Sequence, residues 1–186
     1  MGGGNGENIT PSDEECRKIK KRFEIETEPF FAYTGNIEPR KNIVTILKAF
    51  EIACDRLDKT ISLVLAGKLS WRTQPIIEAI EQNKYKDRIH LPGYISEEEK
   101  KYLMHNACAF VFPSNYEGFG IPIVEAMSCG GIVITADNSS LKEVGGKAAF
   151  YVQKTDEVSQ LADRMVQCFN LSDAERKKLT VDGESW

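Results

Sequence analysis

The stretch Tyr116-Glu117-Gly118-Phe119-Gly120-Ile121-Pro122-Ile123-Val124-Glu125-Ala126-Met127 decides how this chain folds. Ahead of it stands an apolar run, Ala109-Phe110-Val111-Phe112, and behind it the apolar residues continue as a helical run with Pro122 in its first turn. Proline is favoured there because its missing N–H would have no partner in any case. The whole reads as a buried strand, a glycine-rich turn with exposed backbone donors, and a helix N-terminus. Such a turn binds anions, since the first helical turn leaves N–H groups unpaired and carries partial positive charge. Two glutamates, Glu117 and Glu125, bracket it eight positions apart. A carboxylate at each end of an anion site suits a ligand with both phosphate and hydroxyl groups, and a nucleotide sugar is such a ligand.

The strand-then-glycine pattern recurs upstream. Residues 30–34 predict a buried strand closed by Gly35, residues 61–66 a second closed by Gly67, and residues 88–91 a third followed by Pro92-Gly93. Downstream, residues 132–135 predict another buried strand and residues 149–152 a weaker one. Helices fall between them. One opens at a Ser12/Glu15 capping box and runs to Arg22; one is capped by Asn42 and runs to Leu57, with Val44, Leu47 and Ile52 on its inner face. Others span 73–83, Ser96 (boxed with Glu99) to Asn106, a short piece near Leu141, 157–169 and 172–179. Continuous apolar strands that alternate with helices mark a parallel sheet covered on both faces. The expected fold is α/β: a Rossmann-like doubly wound parallel sheet of about six strands, binding its ligands at the strands' carboxyl ends. Gly35, Gly67, Gly93 and Gly118 all fall on that edge.

The chain has 186 residues, 41% hydrophobic and 28% charged, as expected of one soluble domain. Its net charge of −4 argues against a nucleic-acid surface, which needs a basic face. Five cysteines, odd in number and never in a Cys-x-x-Cys pair, point to reduced core thiols and a cytoplasmic setting rather than disulfides or zinc. No apolar run approaches the ~20 residues that span a bilayer. Residues 1–27 read as a flexible, glycine-rich start with a lead-in helix, and residues 28–186 as the ligand-binding domain.

Two phosphate motifs are absent. Gly67-Lys68 lacks the upstream glycine and following Ser/Thr of a P-loop, and no Gly-x-Gly-x-x-Gly follows the first strand. The segments that are present, Gly35-Asn36-Ile37-Glu38-Pro39-Arg40-Lys41-Asn42, Leu91-Pro92-Gly93-Tyr94, Phe112-Pro113-Ser114, Glu117-Gly118-Phe119-Gly120, Glu125-Ala126-Met127-Ser128-Cys129-Gly130 and Ser139-Ser140-Leu141-Lys142-Glu143-Val144, form a combination. Over about residues 28 to 170 it resembles the C-terminal, donor-binding domain of a family 4 glycosyltransferase, one half of a GT-B fold.

The resemblance implies roles. Glu125 resembles the glutamate that accepts ribose hydroxyls, and Glu117 the one beside the donor sugar, the expected catalytic position. Arg40 and Lys41 resemble the cations on the diphosphate, with Gly35 and Asn36 in the same loop. The backbone of Gly118, Phe119, Gly120 and Ile121 would meet sugar and phosphates, and Gly93, Tyr94 and Ile95 would border the base. The resemblance also implies retention of anomeric configuration, no metal or other cofactor, and a GDP-, UDP- or ADP-linked sugar, of a mannose-like kind, for polysaccharide or glycolipid synthesis. The physics agrees, because cations and a helix N-terminus can stabilise a leaving diphosphate as a divalent ion would.

The family's acceptor-binding domain has no counterpart in the sequence, and the final helix is expected to be truncated. The isolated chain is therefore expected to bind donor without transferring sugar, and any membrane association, peripheral at the inner membrane face, would come through the other domain. Asn36 stands where many relatives have arginine, with Arg40 able to compensate. Gly131 stands where many have proline, a change expected to alter only loop stiffness. Two alternatives stay open: a non-catalytic nucleotide-binding or interaction module of this fold, and another GT-B enzyme such as a nucleotide-sugar epimerase.

Overall fold

The computed structural model describes residues 13–25, 29–39, 42–112, 121–136, 149–152 and 157–184. Its strands are β1 (Phe30–Thr34), β2 (Ser62–Ala66), β3 (Ile89–Gly93), β4 (Ala109–Phe112), β5 (Val133–Ala136) and β6 (Ala149–Val152). All pair in parallel, in the order β3-β2-β1-β4-β5-β6. The chain thus winds outward from β1 to one edge, returns to the centre at β4, and winds outward to the other. Every residue of β1, β2 and β4 is buried, which is why these strands read as unbroken apolar runs.

The helices are α1 (Asp13–Phe23), α2 (Ile43–Arg56), α3 (Gln74–Glu81), α4 (Glu97–Asn106), α5 (Ile121–Ser128), α6 (Glu157–Phe169) and α7 (Asp173–Glu184). Alternate strand residues face opposite sides. Phe31, Tyr33, Leu63 and Leu65 join the core beneath α2, α3 and α6. Phe30, Ala32, Val64 and Ala66 join a second core with Ile19 and Phe23 of α1 and Tyr102 and Leu103 of α4. Helix α5 lies against α4, β5 and α7.

Four details differ from the sequence reading. Asn42 does start α2, but its side chain makes no capping hydrogen bond. It adopts a left-handed conformation (φ 59°), which asparagine tolerates, and its carbonyl accepts from Ile46 N–H at 3.1 Å. Ile52 is 36% exposed rather than inward, because the buried stripe of α2 runs through Ile43, Ile46, Leu47, Phe50, Ala53 and Cys54, and position 52 falls off it. β3 extends through Pro92, which an edge strand accepts because one side of its backbone has no ladder partner. Helix α7 runs on to Glu184, opened by a reciprocal Ser172/Glu175 capping box.

Gly131 does more than set loop stiffness. A Cβ there would stand 2.2 Å from the Met104 carbonyl oxygen, so any side chain would push α4 away from the turn after α5. The Ser96/Glu99 capping box is present as expected. Ser12, the piece near Leu141 and the segment 139–144 lie outside the described residues.

Candidate functional site

A doubly wound sheet opens a crevice where neighbouring strands send their following segments to opposite sides, here between the carboxyl ends of β1 and β4. The β1 wall is tied to the next two strand exits. Gly35 N–H donates to Ala66 O at 3.0 Å, and Gly67 N–H donates to Gly93 O at 2.8 Å. Ile37 forms a parallel bridge with Leu69, its N–H donating to Lys68 O at 2.9 Å, and Ser70 Oγ donates to Ile37 O at 3.1 Å. The Tyr33 hydroxyl donates to Asn36 O at 2.8 Å, and its ring stacks on Phe112 at the end of β4. Burial, then the nearby Glu38 carboxylate, push the Tyr33 phenol far above its ordinary range, so it remains a donor. Gly35 and Asn36 are left exposed on a fixed backbone.

The loop after β3 is pinned from below. Arg22, at the end of α1, donates to Tyr94 O at 2.9 Å and pairs with Glu99. Glu99 also accepts Ser96 N–H at 2.8 Å while its own N–H donates to Ser96 Oγ at 3.1 Å. Burial alone would raise the Glu99 pKa, but the bonds from Arg22 and Ser96 outweigh it and hold the carboxyl below its ordinary 4.5. The Tyr94 side chain is 83% exposed at the edge, whereas that of Ile95 packs on the α1/α4 core. Arg22 is a residue that sequence reasoning missed. Its partners lie more than 70 positions away, and its only local signal is membership of a basic last turn.

Glu125 stands on the second turn of α5 and is partly exposed. Lys100, from α4, holds its Oε2 at 2.8 Å and Glu97 Oε2 at the same distance. Burial alone would lower the Lys100 pKa, but hydrogen bonds to Glu125 and Glu97 outweigh it and raise the ammonium above its ordinary value. Lys100 is the second residue the sequence did not reveal, since nothing local separates it from Lys101. Ile121 begins α5, the helix that follows β4 in the chain. Arg40, Lys41, Glu117, Gly118, Phe119 and Gly120 lie outside the described residues.

Other candidates have structural partners. His90 Nδ1 lies 3.1 Å from Glu24 Oε2, and His105 Nδ1 donates to the Cys129 carbonyl. The cysteines form no disulfide among the described residues; burial pushes Cys54 up to about 11 and Cys168 up to about 12, far from reactive thiolates. Trp71, on the loop after β2, is 75% exposed with the Arg72 guanidinium 4.3 Å over its ring. Among the described residues no group of three or more His, Cys, Asp or Glu could hold a metal, and no helix is long and apolar enough to cross a membrane.

The family model described as glycosyl transferases group 1 matches residues 15–186. The O-antigen chain mannosyltransferase B of Escherichia coli is 34% identical over 148 residues, 80% of this chain and 39% of that protein. The chain therefore spans about two fifths of that relative. The structure overlays a glycosyltransferase from Rickettsia africae with a TM-score of 0.82 at 19% identity, covering 96% of this chain and 47% of the other. It overlays Anabaena HepE, solved with UDP and glucose, with a TM-score of 0.78 at 18% identity, covering 94% and 47%. At such identities the overlays speak for the fold.

Proposed function

The chain belongs to the group 1 glycosyl transferases, and from that premise we propose that its crevice binds the donor, a nucleoside-diphosphate sugar, of a retaining and metal-independent transfer. The observation that carries this reading is the pairing of two walls at one crevice: the fixed Gly35-Asn36 exit of β1, and α5 after β4 with Glu125 on its second turn. The mannosyltransferase relative favours a mannose-like sugar, and HepE, of the same fold and solved with UDP and glucose, supports a nucleotide ligand. UDP, GDP and ADP remain the candidate carriers.

In this reading Glu125 accepts the ribose hydroxyls, and the loop from Gly93 to Ile95 borders the base. Arg40, Lys41 and the amino end of α5 meet the diphosphate. As the bond between the sugar and its phosphate breaks, negative charge grows on the leaving diphosphate. Cations and unpaired helix N–H groups that meet this charge stabilise the transition state more than the ground state. Arginine can grip two phosphate oxygens at once, while lysine adds a point charge. Glu117 is proposed to face the donor sugar, with the acceptor held by a second domain across the crevice.

Calorimetric titration with UDP, GDP and ADP, each with EDTA and then with added magnesium, tests the proposal. At least one diphosphate should bind, with the same affinity in both conditions. Failure of all three, or a strict requirement for a divalent ion, would overturn it.

A further inference from the structure

Helices α4 and α5 are clamped together at two places. At one, the Met104 carbonyl fills the space a Cβ on Gly131 would need, and His105 Nδ1 donates to Cys129 O. At the other, Lys100 Nζ reaches Glu125 Oε2 at 2.8 Å. Packing therefore fixes where the lysine stem starts, and Glu97, one turn back on the same helix, fixes where the ammonium ends. The Lys100 side chain is 23% exposed and that of Glu125 40%, so the lysine is the more buried partner and the glutamate the more accessible one.

We propose that Lys100 is the positioning residue of the ribose site, holding Glu125 by one oxygen so that its remaining lone pairs face the ligand's two hydroxyls. The proposal rests on the donor-site reading above. A carboxylate has about four acceptor positions, and one ammonium hydrogen bond leaves the rest available. Lysine suits this task because it is a compact point charge that occupies one lone pair, and its partial burial keeps the interaction from being screened away. Without it, Glu125 would rotate freely in solvent, and each ribose hydrogen bond would first have to order the side chain.

The discriminating readout is the preference for ribose hydroxyls rather than affinity itself. Calorimetry would compare GDP, UDP and ADP with their 2′,3′-dideoxy counterparts. The wild-type chain should prefer the ribose form of its best-bound nucleotide by about tenfold or more. In Lys100→Met the preference should collapse to within about threefold while dideoxy affinity holds, and Lys100→Arg, whose fork can occupy both Glu125 oxygens, should lose part of it. Proportional weakening of both forms in Lys100→Met would mean a merely structural lysine and would overturn the proposal. The ribose reading is checked separately by Glu125→Ala. If that variant keeps the wild-type preference, or the wild type has none, the ribose site itself is wrong and Lys100 falls with it. If Glu125→Ala loses the preference and Lys100→Met keeps it, only the Lys100 proposal fails.

Discussion

A Cβ on Gly67 would stand 1.8 Å from the Gly35 carbonyl oxygen, so the exits of β1 and β2 touch backbone to backbone at the mouth of the crevice. Only glycine permits that approach, and Gly67 also sits at φ +147°, where a side chain is strained whatever the space. The contact makes the Gly35-Asn36 wall a rigid surface rather than a loose loop.

Gly67→Ala should therefore cost about 2–5 kcal/mol of stability, combining overpacking with an unfavourable backbone conformation. Denaturant unfolding would measure it. A loss below about 0.5 kcal/mol, the range of neutral surface changes, would show that the two exits can part freely.

The Arg22–Glu99–Ser96 cluster predicts a pH dependence. The Glu99 carboxyl is held below its ordinary 4.5 in the fold, so its stabilising contribution is complete above that value and is lost as pH falls through the depressed one. Stability should decline on the acid side of pH 4.5, and Glu99→Gln should flatten part of the decline while lowering stability at neutral pH. Melting temperatures across pH 3 to 7 would check both. An unchanged acid limb in the variant would assign the decline to other carboxylates.

Glu125→Ala should weaken binding of the preferred nucleoside diphosphate by about 1.5–3 kcal/mol, the usual range for hydrogen bonds to a charged group. The fold should survive, since the side chain is 40% exposed and not part of the core. Titration calorimetry alongside circular dichroism separates the two effects.

Arg40→Ala and Lys41→Ala should weaken diphosphate binding far more than binding of the bare nucleoside, because only the diphosphate carries the charge they would meet. The difference should shrink as salt rises. Equal losses for both ligands would indicate a base-side or folding role.

Much of the architecture was legible in the sequence because it rests on local chemistry. Short apolar runs such as Phe30–Thr34 and Ser62–Ala66, each closed by a glycine, read as strands buried on both faces, and the Ser96/Glu99 box starts a helix by bonds within one turn. The glycines at positions 35, 67 and 93 marked the carboxyl edge of the sheet, whereas the Gly-rich turn before Pro122 lies outside the described residues. The boundaries of β3 and α7 and the inner face of α2 were less legible. An edge strand tolerates proline, a helix end is set by what it docks on, and Ile52 misses the buried stripe by a fraction of a turn.

What only the tertiary structure decided is which distant residues share an environment. Arg22 reaches Tyr94 O, Lys100 reaches Glu125, and Met104 O fills the place of a side chain at Gly131. None of these pairs has a sequence spacing that suggests contact, because each joins elements brought together by the sheet order. By itself the sequence determined most of the elements and the glycines at the carboxyl edge of the sheet. The packing of α4 against α1 and α5 follows from parallel strands placing helices side by side on one face, and it determined which cation stands against Glu125.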